Sequence, residues 1–156
     1  MKDPIKNLVY CKRNRELLVQ GEGYKETWIV RFNEDLTAYE LHKIDMGEHD
    51  FEEMHFIDRR LICTISLKYV NLSQELKVIS KPKNLQLPSA NSALSILEHR
   101  GYVLVFQLDE AERLNLSILD IDSLRVRSVI RFGKINMLDK IVVDVSFEEE
   151  GIYRVD

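Results

Sequence analysis

The sequence predicts an all-β chain made of repeated four-stranded antiparallel meanders. Three observations carry this expectation. Apolar residues recur with a period of two or in short runs, which is the periodicity of strands and not of helices. Those runs are rich in Val, Ile, Leu, Tyr and Phe, and each breaks after about four to eight residues at polar or glycine positions. Finally, a short apolar strand, a charged turn and a second apolar strand recur along the chain at a spacing of about 40 to 50 residues.

The recurring hairpin first appears as Leu8-Val9-Tyr10-Cys11, the turn Lys12 to Arg15, and Glu16-Leu17-Leu18-Val19. It returns as Met54-His55-Phe56-Ile57, Asp58-Arg59, Arg60-Leu61-Ile62-Cys63. The third copy is Leu94-Ser95-Ile96-Leu97, Glu98 to Gly101, Tyr102-Val103-Leu104-Val105. The fourth is Val143 to Phe147, Glu148 to Glu150, Gly151-Ile152-Tyr153-Arg154-Val155. Between the hairpins lies room for two more strands each time. The candidates are Trp28 to Phe32 with Thr37 to Ile44, Leu67 to Leu72 with Leu76 to Ser80, and Leu114 to Leu119 with Leu124 to Phe132. Asn33-Glu34-Asp35, Ser73-Gln74 and Asp120 to Ser123 sit where the third strand turns into the fourth, and short polar side chains favour such turns by bonding nearby backbone amides. The one stretch with helical composition, Pro88 to Glu98, reads as a loop feeding a strand, because Pro88 and its serines punctuate it.

A meander repeating at this spacing is the signature of propeller blades. The count gives about three and a half blades, approximately residues 7–46, 51–83, 92–133 and a half-blade at 139–156, forming one all-β domain or part of a larger propeller. A closed or partly open antiparallel barrel is the alternative that would also remove strand edges. The pattern resembles the WD-repeat class of β-propellers across nearly the whole chain, with Leu119-Asp120-Ile121 standing where such a blade often closes its third strand. The likeness is architectural, since no Gly-His pair precedes a blade and the single tryptophan, Trp28, begins a candidate third strand instead of ending one. It implies antiparallel blades around a channel, serving as a rigid platform for other proteins.

Bulk properties fit a folded, non-membrane chain. With 156 residues, 45% hydrophobic and 31% charged, the composition is that of an ordinary globular protein. A formal charge of -4 argues against general attraction to nucleic acid or to anionic lipid, both of which need a basic field. No apolar run approaches the roughly 18 residues of a membrane span. Cys11 and Cys63 both fall inside strand patterns, so buried thiols in a reducing compartment, cytoplasmic or nuclear, are expected.

No catalytic constellation emerges. The segment Asp45 to His55 gathers five carboxylates and two imidazoles, but His49 and His55 are six apart, which fits neither a zinc-protease helix nor a calcium loop. Gly21-Glu22-Gly23 lacks the third glycine and the lysine of a phosphate cradle. No nucleophile elbow precedes a serine, and Asp120 reads as a turn residue. Arg125, Arg127 and Arg131 read as the solvated face of an outer strand. We therefore expect no enzyme, no metal and no cofactor, and a protein-protein interaction or scaffold module instead. The alternative is an enzyme or small-ligand binder built from residues converging at the channel mouth.

Candidate partner-binding residues are the basic-aromatic group Lys12, Arg13, Arg15, Tyr24 and Trp28, and the final strand with Ile152, Tyr153 and Val155. A half-blade ending there would present an unpaired edge, so completion by a partner, a second copy or a longer parent chain is expected.

Overall fold

The computed structural model describes residues 4–22, 26–47, 52–134, 145–147 and 153–155, the last two segments by their backbone. Its first eight strands are β1 (Ile5–Cys11), β2 (Glu16–Gly21), β3 (Thr27–Phe32), β4 (Tyr39–Lys43), β5 (Met54–Ile57), β6 (Arg60–Cys63), β7 (Lys68–Asn71) and β8 (Lys83–Asn84). The remainder are β9 (Ala93–His99), β10 (Tyr102–Leu108), β11 (Arg113–Asp120), β12 (Val126–Lys134), β13 (Val145–Phe147) and β14 (Tyr153–Val155). Three four-stranded sheets result, β1-β2-β3-β4, β5-β6-β7-β8 and β9-β10-β11-β12, with β13 and β14 forming a two-stranded ladder. Every pairing is antiparallel and every neighbour in space is a neighbour in sequence. Among the described residues there is no α-helix, and no sheet closes on itself, which sets the barrel aside and leaves blade-like meanders.

The chain divides into two compact units, Met1–Gln86 and Leu87–Asp156. In the first, alternation sends Cys11, Leu18 and Ile29 to one face of the β1–β4 sheet, where with Ile44 they pack against Met54, Phe56, Leu61, Cys63 and Val70 of the β5–β8 sheet. Leu18, Ile29, Leu61 and Val70 are wholly buried, and each contributes about 1.5–3 kcal/mol relative to exposure. Cys11 and Cys63 lie in this core as free thiols.

A buried amide joins the two sheets of this unit. Gln20, at the end of β2, is inaccessible to solvent. Its Oε1 accepts from Asn7 Nδ2 at 2.7 Å and from the Met54 amide at 3.0 Å, while its Nε2 donates to the Glu52 carbonyl at 2.9 Å. Asn7 Nδ2 also donates to the Met54 carbonyl at 2.8 Å. The edge of β5 is thus satisfied by side chains of β1 and β2, which fixes its register against the first sheet. The second unit uses a similar device. Gln107 of β10 donates to the Ser89 and Asn91 carbonyls at 3.0 and 2.7 Å, tying down the segment that leads into β9. That segment is a loop followed by a strand, as its composition predicts.

The turns follow two designs. The β5–β6 and β9–β10 hairpins close through two residues at positive φ, Asp58 and Arg59 (45° and 60°) and Arg100 and Gly101 (50° and 82°), the backbone of a type I′ turn. The longer turns open on a short polar residue. Asn33 Oδ1 accepts from the Thr37 amide at 3.0 Å and Ser73 Oγ from the Lys77 amide at 3.1 Å. Asp109 Oδ1 accepts from the Ala111 and Arg113 amides, both at 2.9 Å, and Asp120 Oδ1 from that of Asp122 at 3.0 Å. The Arg113 amide, chief among these bonds, holds the Asp109 carboxyl below its ordinary pKa.

One predicted strand is corrected. Leu76 to Ser80 forms a single bridge, Leu72 to Val78, and the fourth strand of its sheet is the two-residue β8 pairing with Lys68 and Tyr69. Leu76 sits at φ 61°, and the Asn71 amide is taken by Ser80 Oγ at 2.9 Å, so a side chain occupies a donor that a ladder would need.

Aspartate at Leu61 or Val105, both wholly buried, is expected to cost several kcal/mol against a total stability of about 5–15 kcal/mol. A thermal melt followed by circular dichroism checks this, and either variant melting like wild type would contradict the assigned core.

Candidate functional site

The second face of the β1–β4 sheet is apolar as well. Register places Leu8, Val19, Trp28 and Lys43 in one row across the four strands, and Tyr10, Leu17, Val30 and Leu41 in the next, with Phe32 opposite Tyr39 beyond them. Nine of these ten side chains are apolar or aromatic. Leu8, Tyr10, Tyr39 and Leu41 are 58, 49, 64 and 58% exposed, and the residues on β2 and β3 are half-buried by their neighbours. Consecutive apolar residues in Leu17-Leu18-Val19 and Trp28-Ile29-Val30 produce this result, since alternation delivers Leu18 and Ile29 to the core and their neighbours to the opposite side.

Within this face, the Lys43 ammonium stands 5.9 Å from the Trp28 ring centroid, a cation–π distance. Trp28 Nε1 is buried with no hydrogen-bond partner among the described residues. The Phe32 and Tyr39 rings meet at 6.5 Å and 57°. Beside them an open cleft of about 200 Å³ is lined by Arg31, Phe32, Asn33, Ala38, Tyr39 and Glu40. Its cation is already engaged, with Arg31 Nη2 lying 3.4 Å from the buried Glu16 carboxylate and donating to the Gln74 carbonyl at 2.9 Å.

Of the residues singled out by sequence, Lys12, Arg13 and Arg15 are exposed on the β1–β2 turn, at the end of the sheet where Tyr10, Phe32 and Tyr39 lie. Trp28 belongs to the apolar face itself. Tyr153 and Val155 lie in β14, which pairs with β13, whereas Tyr24 and Ile152 fall outside the described residues. The structure therefore brings Trp28 and the basic turn onto one sheet. The residues that sequence reasoning passed over are Leu8, Leu17, Val19, Val30, Tyr39 and Leu41. For Leu17, Val19 and Val30 the signal was the local apolar runs Leu17-Leu18-Val19 and Trp28-Ile29-Val30.

The acidic segment does not assemble a site. Asp45 Oδ1 accepts from the Gly47 amide at 2.8 Å, and the Glu52 and Glu53 carbonyls are taken by Gln20 Nε2 and the Thr64 amide. His55 is in β5, and His49 lies outside the described residues. Among the described residues no three His, Cys, Asp or Glu side chains come together as a metal site. Asp120 caps its own turn and pairs with Arg127 at 3.5 Å. Arg127 occupies a bulge in β12, so Arg125, Arg127 and Arg131 do not form one regular row. No helix among the described residues is long and apolar enough to cross a membrane.

No known family profile matches the chain, and no curated protein matches it in sequence. Among solved structures it is similar to Kuenenia stuttgartiensis hydrazine synthase, with a TM-score of 0.56 and 9% identity over 94% of this chain. The match spans 41% of that chain's length. At this identity the likeness is one of fold.

His55 gives a pH signature. It stands opposite the buried Ile62, and desolvation pulls its pKa from 6.5 down to about 4. The unfolded chain takes up this proton near pH 6.5 while the folded chain waits until about pH 4, so stability is complete above that window and falls as pH drops through it, by at most about 3 kcal/mol. Denaturant melts between pH 7 and 4 test this, and His55→Gln should flatten the profile. An unchanged slope in that variant would contradict the assignment.

Proposed function

We propose that the chain is a non-enzymatic protein-binding module built from propeller-type blades of WD-repeat-like architecture, and that the apolar face of β1–β4 is where another protein surface seats. The observation that carries this reading is the pair of apolar rows running unbroken from β1 toward β4. Four strands spaced about 4.8 Å apart and five to seven residues long make a face roughly 20 Å on a side, and apolar patches of several hundred square ångströms on a protein surface mark interaction sites. The same sheet's other face shows the chemistry that suits it, since Cys11, Leu18 and Ile29 are covered by a neighbouring sheet.

The aromatic content supports the reading too. Trp28, Tyr10 and Tyr39 present large, amphipathic side chains of the type that dominates binding energy at protein interfaces. The rim adds the charges of Lys12, Arg13 and Arg15, which select orientation more than they add affinity. The β13–β14 ladder is a second place for strand addition, with β14 paired on one side among the described residues.

A photo-activated cross-linking residue replacing Leu41 in living cells tests the proposal. Protein adducts are expected at Leu41 and not at Glu110, an exposed position on the β10–β11 turn. Equal yields at the two sites would overturn the docking face.

A further inference from the structure

The face carries information about its occupant. The β1–β2 and β3–β4 turns lie at the same end of the sheet, since Cys11 pairs with Glu16, Glu16 with Arg31, and Phe32 with Tyr39. At that end the β1 side is basic, with Lys12, Arg13 and Arg15 exposed, and the β4 side is acidic, with Glu34 and Asp35 exposed. The two clusters sit at opposite corners of one edge of an apolar square.

We infer that the occupant is a second copy of this chain, seated face to face about a two-fold axis lying between the two sheets and parallel to their strands. The inference rests on the docking face proposed above and names its partner. Such a rotation keeps the turn end of one sheet over the turn end of the other and exchanges β1 with β4. The basic corner of each copy then meets the acidic corner of its mate, twice. The apolar rows are self-complementary under the same operation. Leu17 faces the second copy's Val30, Tyr10 faces the second copy's Leu41, and Val19 faces the second copy's Trp28. Leu8 meets the aliphatic stem of the second copy's Lys43, whose ammonium is directed to an indole. This reciprocity, in which each residue contacts its counterpart's partner, is what an isologous interface requires. Packing of two twisted sheets with strands aligned to within about 30° is a standard solution for such faces. Within one molecule the first and second sheets likewise bury apolar residues against each other.

The area is at the small end for a specific interface, so a dissociation constant on the order of 10 µM is expected. Sedimentation equilibrium on the full chain, from about 1 to 200 µM, should show a monomer–dimer equilibrium. Reversing the acidic corner (Glu34→Lys with Asp35→Lys) or the basic one (Lys12→Glu with Arg13→Glu) sets like charges together and should weaken association by about tenfold or more in each variant alone. An equimolar mixture of the two variants should recover it, because every corner then meets its opposite. All four positions are exposed, so the basic-corner variant should keep the wild-type melting temperature, and the acidic-corner variant should lose only what the Thr37 hydroxyl bond to Asp35, at 2.7 Å, gives that exposed turn.

Three results overturn the inference. They are a chain that stays monomeric at about 200 µM, open-ended growth with concentration, and a dimer indifferent to the swaps, which would place association at the β13–β14 edge. The outcomes separate from those of the docking proposal. Adducts at Leu41 with a different protein, from a chain that is monomeric when pure, retain the docking face and remove the second copy; no adducts at all remove both.

Discussion

The first sheet carries large apolar residues on both sides, and this constraint shapes the rest of the structure around it. Antiparallel sheets usually keep one face for water, with polar residues at every second position. In β2 and β3 the parity of Leu17, Val19, Trp28, Val30 and Phe32 is wholly apolar, while the core parity sets Leu18 and Ile29 among the buried polar groups Glu16, Gln20 and Thr27. The Leu18 and Ile29 layer is covered by Met54, Phe56 and Leu61, and the fold thereby gains its main core. The Val19, Trp28 and Val30 layer is left for something else to cover.

Within each unit, buried polar side chains hold strand edges and loops in place. Gln20 satisfies an incoming strand edge, and Gln107 anchors the loop that delivers β9. Four leucines, at positions 36, 67, 76 and 124, adopt positive φ between 57° and 61°, each costing about 1–2 kcal/mol of backbone strain. For Leu67, Leu76 and Leu124 the strain is offset by near-complete burial, worth about 1.5–3 kcal/mol apiece. Leu36 is exposed, and its turn is held instead by the Asn33 side chain, which accepts the amides of Thr37 and Ala38.

Much of this architecture was legible in the sequence because strands report themselves by alternation. Met54 to Ile57 was delimited residue for residue, and the inner strands of the first and third sheets were placed within a few positions; the start of the fourth, before Val145, lies outside the described residues. The turn residues Asn33, Ser73 and Asp120 announced themselves through their side-chain chemistry. The fourth strand of the second sheet did not, because the Ser80 hydroxyl takes the Asn71 amide and the strand that follows pairs over two residues only, and no periodicity can reveal so short a run. The apolar face was half legible. Trp28 and the basic turn stood out by residue type, while Leu17, Val19 and Val30 looked like any core residue. Whether such a residue is covered depends on a neighbouring sheet's presence, which its own strand does not encode.

Trp28 is the chain's single tryptophan and lies in the middle of the exposed rows, so it reports directly on whether that face is open. The decisive measurement is acrylamide quenching of its fluorescence as the full chain is diluted. An indole that is readily quenched in dilute solution and becomes protected, with a blue-shifted emission, as association proceeds is the predicted result. Strong protection that does not change with dilution would mean that the chain covers the face itself, and would contradict the account.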